Sequence, residues 1–354
     1  MATTRPRNEV AAAALEHEEP ELLLRVYRLV LAARSVDERL WILARQGRVN
    51  FVLTARGHEV AQVASALAIR PGQDSAWLYY RDLAAGLALG ITPYEVVLGG
   101  LARAADPHSG GRQLTAHFSS PRLGIGTVSS VVAGGLTHAV GAAYAARVLD
   151  QDSVALAYFG EGATSAGQTH EAMNFAGIHR LPVVFFCENN GYAISVPQRL
   201  QMPVASVADR ADAYGMRGVS IDGTDALAVF QVTRDAVARA RRGEGPTLIE
   251  ARVPRMTPHS SQDDDAYRDD SERRAALAAD PLPMLRRELV ERGVLTEQQA
   301  QAEADRVRAQ VIDDERRALE QPEPEPERAR RWLFAGDPPH PGLTTDPNSE
   351  TWRA

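Results

Sequence analysis

Apolar residues in the centre of the chain fall into short unbroken runs that end abruptly on polar residues. "SVALAYFGEG" (153–162) and "LPVVFFCENN" (181–190) have strand length, and "AGQTHEAMNFAGIHR" (166–180) between them has helical spacing. Strand, helix and strand in this order predict a βαβ unit with parallel strands. "GMRGVSIDG" (215–223) and "GPTLIEARV" (245–253) add two strands around the helix "DALAVFQVTRDAVARARRG" (225–243). This alternation predicts an α/β fold, a doubly wound and mainly parallel sheet.

The flanks read differently. "ELLLRVYRLVLAARSVDERLWILARQG" (21–47) has helical apolar spacing, with Pro20 suited to its first turn and Gly47 to its stop. "GHEVAQVASALAI" (57–69) predicts a second helix, and "SAWLYYRD" (75–82) a short buried strand ending on polar residues. Residues 126–150 are crowded with Gly and Ala, a composition poor for a free helix but suited to close packing inside a core. Beyond "HSSQDDDAYRDDSERR" the chain turns helical and charged, and "EPEPE" precedes a polar end. The predicted organisation is a helical arm (1–49), the α/β domain (50–270), a helical extension (271–335) and a polar tail of disorder-prone composition (336–354).

Composition narrows the function. The 354 residues are 44% hydrophobic, enough for one large core or one core and a satellite. A net charge of 39 − 46 = −7, spread along the chain, argues against a nucleic-acid partner. No apolar run approaches the roughly 18 residues of a membrane span. The acidic, h-region-free start and the single cysteine, Cys187, point to a cytoplasmic protein. Cys187 itself reads as a buried small hydrophobe. The sequence contains no lysine, which removes pyridoxal Schiff-base chemistry, a Walker-A lysine and lipoyl or biotinyl attachment from this chain.

The chemistry gathers around "AYFGEGATSAG". Glycines at a strand end admit a phosphate group, yet Glu161 between them would repel it. In open α/β sheets ligands bind at the carboxyl ends of strands. Glu161 follows one strand and Asn190 the next, 190 − 161 = 29 residues on, about one βαβ crossover. A carboxylate and an amide oxygen are hard ligands that suit Mg²⁺, with substrate phosphates completing its shell. Gly160 and Gly162 then let backbone approach a metal-bridged diphosphate, and the helix near Gly167 offers its N-terminus. Two other readings stay open here. One is a stretched nicotinamide fingerprint with Glu188 as ribose-binding acid; the other is a tight turn with an Asx-turn at the Asn pair, as in a catalytically silent scaffold.

"YFGEGATSAG…NFAGIHRLPVVFFCENNGYAIS" resembles the thiamine-diphosphate motif of 2-oxo acid dehydrogenase complexes, specifically the α subunit of their decarboxylating component in the branched-chain type. "VDER", "RGHE", "WLYYRDLAAGLALG", "VSSVVAGGLTHAVGAAYA" and "RVPRMTPHSSQDDDAYR" resemble further family segments in the same order, over roughly residues 20 to 335. The resemblance implies that Glu161, Asn190 and the Tyr192 carbonyl bind Mg²⁺. It places Gly160, Gly162, Ala163, Tyr80 and Arg81 at the diphosphate of thiamine diphosphate, and Ser130 and Val132 along its rings. It makes His259 and Arg255 catalytic, with His259 also contacting the cofactor, and it assigns Phe51 and Val132 to the acyl pocket. Ser260 matches a position phosphorylated in eukaryotic relatives.

What the resemblance implies for the reaction is oxidative decarboxylation of a small 2-oxo acid and acyl transfer to the lipoyl group of an acyltransferase core, with the cofactor as electron sink. It implies a β subunit that supplies the missing glutamate, in a two-α, two-β heterotetramer with an exposed apolar face on the isolated α chain. Pyruvate or acetoin is the alternative substrate within the class. Departures from the family pattern are Glu188 at a position that holds a diphosphate-binding arginine in animal relatives, Pro258 in place of one histidine of a pair, and "SSVVAGGLTH" without the Thr-Gln pair of a potassium site.

Overall fold

The computed structural model describes residues 7–331, with side-chain environments from Glu19 onward. The polar tail at 336–354 lies outside the described residues.

The helices are α1 (Arg7–Arg45), α2 (Glu59–Ala66), α3 (Leu83–Leu89), α4 (Pro93–Gly100), α5 (Gly134–Val148), α6 (Gly167–Ile178), α7 (Ala226–Arg241), α8 (Asp270–Ala278), α9 (Pro281–Glu291) and α10 (Glu297–Leu319). The strands are β1 (Ser75–Trp77), β2 (Ala155–Gly160), β3 (Val183–Asn189), the hairpin pair β4 (Tyr192–Ala193) and β5 (Val196–Pro197), β6 (Arg217–Asp222) and β7 (Thr247–Arg252). A five-stranded sheet runs in the order β1-β2-β3-β7-β6, and each of its pairings is parallel.

The apolar runs of β2 and β3 are unbroken because both sheet faces are covered. Strand periodicity sends alternate residues to opposite sides. Leu156, Tyr158, Val184 and Phe186 enter a core shared with α1, α2, α4, α7, α9 and α10. Ala157, Phe159, Val183, Phe185 and Cys187 enter a second core under α5 and α6. The helices change face after β3, which is the doubly wound arrangement predicted. The connections then return so that β7 lies between β3 and β6, and the ends of β1, β2, β3 and β7 meet along one rim.

Three local expectations are corrected. Pro20 lies inside α1, not in its first turn, although proline deprives a helix of one hydrogen bond. Packing outweighs that loss: Leu23, Val26, Tyr27 and Val30 are fully buried, and Tyr27 Oη donates to the Ala300 carbonyl at 3.3 Å. The strand at "SAWLYYRD" ends after Trp77; Tyr79 makes an isolated bridge to Ser129, and Tyr80 and Arg81 form a turn. The Gly/Ala-rich segment forms α5 with only one face in a core. Its outer side leaves Tyr144, Val148 and Leu149 exposed, beside exposed Phe175 and Ile178 of α6. Among the described residues no helix is long and apolar enough to cross a membrane.

Phe185 and Phe186 anchor the two cores from opposite faces of β3. Truncating either to alanine is expected to cost about 3–5 kcal/mol. Urea unfolding of each variant measures it, and a loss below about 1 kcal/mol for both would contradict the two-core packing.

Candidate active site

The rim formed by the strand ends carries a cleft lined by Tyr79, Tyr80 and Arg81 after β1, and Gly160 to Ala163 after β2. Asn190, Tyr192 and Ile194 after β3 and His259 after β7 complete the circle, with Ser129, Val131 and Val132 at its edge.

Glu161 opens a 3-10 turn, Glu161–Ser165, that separates β2 from α6. This turn, and not the helix tip at Gly167, faces the cleft. Glu161 is only 1% exposed. Its Oε2 accepts the Asn190 backbone N–H at 3.2 Å, while its Oε1 is buried with no partner. Burial raises its pKa, against hydrogen bonds from backbone N–H groups and the fields of Arg255 and Arg81. A buried carboxylate oxygen without a donor is costly unless a cation meets it. Gly162 is glycine for an internal reason: a Cβ there would lie 2.9 Å from the Ala193 Cβ, so the turn and β4 could not pack.

The two asparagines after β3 diverge. Asn189 turns inward, donating to Glu250 at 2.7 Å and Gln198 at 2.9 Å and accepting Gly191 N–H at 2.9 Å. Asn190 lines the cleft. Its Oδ1 accepts the Tyr192 N–H at 3.1 Å, and its Nδ2 lies 3.3 Å from His58 Nε2. Both amides therefore close Asx turns, yet the Asn190 oxygen keeps a second lone pair. One carboxylate, one amide oxygen and the Tyr192 carbonyl fit a hard divalent cation that draws the rest of its shell from phosphate and water. Among the described residues no group of three or more His, Cys, Asp or Glu forms a closed metal cage.

Arg81 is buried and aimed by two contacts. Nη1 donates to the Thr54 carbonyl at 2.8 Å and Nη2 to His259 Nδ1 at 3.1 Å. Thr54 in turn donates its hydroxyl to Asp37 of α1, whose pKa burial pushes up to about 7. His259 Nδ1 is thus occupied as an acceptor, leaving Nε2–H as the donor. Burial, Arg81 and Arg255 lower the His259 pKa to about 4, so the ring is neutral at physiological pH. Tyr80 packs edge-on against it, with ring centroids 6.0 Å apart.

Not every predicted residue reaches the cleft. Ser130 bonds His117 Nε2 at 2.6 Å, and its neighbour Ser129 supplies the lining hydroxyl. Arg255 lies behind the cleft, donating to the Ile194 carbonyl at 2.7 Å and to Tyr267 Oη at 2.6 Å. Phe51 is outside the lining. It sits on a segment tied to the His259 loop through Val52 N–H to Ser261 Oγ at 3.0 Å and Ser261 N–H to the Val52 carbonyl at 2.9 Å. Val132 lines the mouth and is half exposed.

Glu188 has no exposure and cannot reach a ribose, which removes the acid that the nicotinamide reading needs. Instead it accepts from His58 Nδ1 at 2.6 Å, Gln62 at 2.9 Å and Tyr79 at 3.1 Å. Asp82 packs against it with a strongly raised pKa, caused by burial and then by Glu188. These residues went unrecognised as a group in the sequence. The available signal was "GHEVAQ", a buried helix start that carries three polar side chains.

The family model for the dehydrogenase E1 component matches residues 27–327. The chain belongs to the dehydrogenase E1 component family. It is 45% identical over 311 residues to the 2-oxoisovalerate dehydrogenase subunit alpha of Bacillus subtilis, covering 88% of this chain and 94% of that protein. It is 41% identical over 302 residues to the 3-methyl-2-oxobutanoate dehydrogenase subunit alpha of Mycobacterium tuberculosis, covering 83% and 78%. The human mitochondrial 2-oxoisovalerate dehydrogenase subunit alpha is 35% identical over 312 residues, covering 88% and 70%. E1 components use thiamine diphosphate with a divalent metal ion such as Mg²⁺. The unpaired Glu161 Oε1 beside Asn190 fits that requirement in this E1 chain.

The depressed His259 pKa sets a pH dependence. Between about 4 and the usual 6.5 the unfolded chain binds the His259 proton and the folded chain does not, so this contribution to stability is lost as pH falls through that window. In an NMR titration the His259 ring is expected to stay neutral at pH 5 and to titrate closer to 6.5 in Arg81→Met. Protonation near pH 6.5 in the wild type would contradict the Arg81–His259 geometry.

Proposed function

We propose that this chain is the α subunit of a branched-chain 2-oxo acid dehydrogenase component. It acts with a β subunit in a two-α, two-β heterotetramer to decarboxylate 3-methyl-2-oxobutanoate and its homologues oxidatively. The acyl group passes to the lipoyl group of an acyltransferase core. The observation that carries the reading is the buried, partnerless Glu161 oxygen held next to Asn190 where β2 and β3 end. The names of the relatives support the substrate class.

When bound, thiamine diphosphate supplies the electron sink for loss of CO2. Glu161, Asn190 and the Tyr192 carbonyl hold the cation, and the backbone of Gly160, Gly162 and Ala163 together with Tyr80 and Arg81 receives the diphosphate. Neutral His259 offers a hydrogen-bond donor from Nε2 while Arg81 holds Nδ1. Arg255 acts one step back, holding the Ile194 carbonyl and Tyr267 around the cleft. Ser130 acts through His117, and Ser129 borders the ring region. Val132 at the mouth borders the acyl side of the site, and Phe51, outside the lining, belongs to that side through the segment tied to the His259 loop.

The uncovered apolar row of Tyr144, Val148, Leu149, Phe175 and Ile178 supports assembly with partner subunits. The division into arm (1–49), cofactor-binding domain (50–270) and helical extension (271–335) belongs to the same reading, as does a cytoplasmic location.

The test is decarboxylation by the α–β assembly with an artificial electron acceptor. Turnover is expected to require Mg²⁺ and thiamine diphosphate and to favour 3-methyl-2-oxobutanoate over pyruvate. One or two methylenes are worth about 1–3 kcal/mol, so the preference should be about 10- to 200-fold. Preference for pyruvate would discard the acyl-pocket assignment, and turnover without the cofactor would discard the class. Glu161→Ala is expected to weaken Mg²⁺-dependent cofactor binding by about 100-fold or more, since loss of even an outer partner costs about 10- to 100-fold. Unchanged affinity would remove Glu161 from the metal site.

A further inference from the structure

An asparagine ligates a hard cation through oxygen, and its two terminal atoms differ little in shape. Something must therefore decide which of them faces the cleft. Beneath Asn190 lies a chain of fully buried polar side chains whose hydrogen bonds can run in only one direction.

The direction is set by backbone. Gln62 Oε1 accepts the Ala84 N–H at 3.1 Å, and Gln62 Nε2 donates to the Arg81 carbonyl at 3.1 Å. Two main-chain groups of opposite kind thus fix the Gln62 amide. Its NH2 group then also meets Glu188 Oε2 at 2.9 Å, so that oxygen is an acceptor. Tyr79 Oη donates to the same oxygen at 3.1 Å. His58 Nδ1, at 2.6 Å from it, must carry the proton, which leaves His58 Nε2 as a lone pair. That lone pair can receive only an N–H, and Asn190 Nδ2 stands 3.3 Å away. Asn190 Oδ1 is thereby turned to the other side, where the Tyr192 N–H meets it independently at 3.1 Å. His58 occupies the position just before α2, where a polar side chain would ordinarily cap the helix, yet it makes no cap. Both His58 and Glu188 are without solvent exposure.

We propose that Glu188 and His58 are positioning residues: the chain Ala84–Gln62–Glu188–His58–Asn190 turns the Asn190 amide so that its oxygen faces the divalent cation. The inference rests on the reading of Asn190 as a cation ligand. It gives Glu188 a role at a position that the family resemblance had left without one.

The test is Mn²⁺ affinity of the α–β assembly at saturating thiamine diphosphate, read by electron paramagnetic resonance of free Mn²⁺. His58→Phe and Glu188→Met, which break the chain, are expected to weaken Mn²⁺ binding about 10- to 100-fold. Glu188→Gln is expected to stay within about twofold of wild type. Its oxygen still accepts from His58, and its NH2 group can meet Asp82, which already packs against Glu188. A merely structural role would not separate Glu188→Gln from Glu188→Met in affinity. Wild-type affinity in His58→Phe and Glu188→Met overturns the inference and leaves the cation site standing. No Mn²⁺ binding by the wild type overturns the parent reading and this inference with it. Should the breaking variants fail to assemble, a neutron structure of the wild-type assembly decides: deuterium on His58 Nδ1 and none on Nε2 supports the chain, and the reverse refutes it.

Discussion

The register between β2 and β3 is the constraint on which the cleft depends. Gly160 lies opposite Glu188, so Glu161, one residue past Gly160, and Asn190, two residues past Glu188, leave neighbouring strands within one residue of each other. That is what lets the Glu161 carboxylate take the backbone N–H of Asn190. A slip of one residue would send every side chain of a strand to the opposite face. Leu156 and Tyr158 would exchange cores with Ala157 and Phe159, and Glu188 would leave its buried partners. The two cores therefore hold the register, and the register builds the site.

Around that junction the fold concentrates buried polarity. Glu161, Glu188, Asp82, Asp37, Arg81 and His58 are all buried within the elements that surround one rim. Isolated, such groups would be destabilising; linked, they define one arrangement. Asp37 of α1 holds Thr54, the Thr54 carbonyl holds Arg81, and Arg81 holds His259. The N-terminal helix is thus connected to a loop more than two hundred residues later by a short series of hydrogen bonds. Asp37 Oδ1, Asp82 Oδ1, Glu188 Oε1 and Glu161 Oε1 are left without a partner among them, and of these four residues Glu161 is the one that lines the cleft, beside Asn190.

Much of this was legible in the sequence, and what was not has identifiable causes. The central strands were legible because their apolar runs were of strand length and ended on polar residues. Glu161 and Asn190 followed, since consecutive strands in a βαβ unit end close together. Pro20 misled because helix-start rules weigh local propensity, and burial of Leu23, Val26 and Tyr27 outweighs it. The Gly/Ala-rich segment correctly signalled close packing, but composition does not say that only one side is covered. The resemblance makes Ser130 and Arg255 contact residues, yet Ser130 turns to His117, and Arg255 to the Ile194 carbonyl and Tyr267, outside the cleft lining. The Glu188 group could not be assembled from spacing, because its members come from three separate parts of the chain and are joined only by tertiary packing.

The most direct test of the central claim is anomalous diffraction from crystals of the α–β assembly grown with Mn²⁺ and thiamine diphosphate. The account predicts one strong metal peak at about 2.0–2.2 Å from Glu161 Oε1, Asn190 Oδ1 and the Tyr192 carbonyl oxygen, as expected for a small octahedral cation. Metal density elsewhere, with the Glu161 carboxylate buried and uncoordinated in the cofactor-bound assembly, would contradict it.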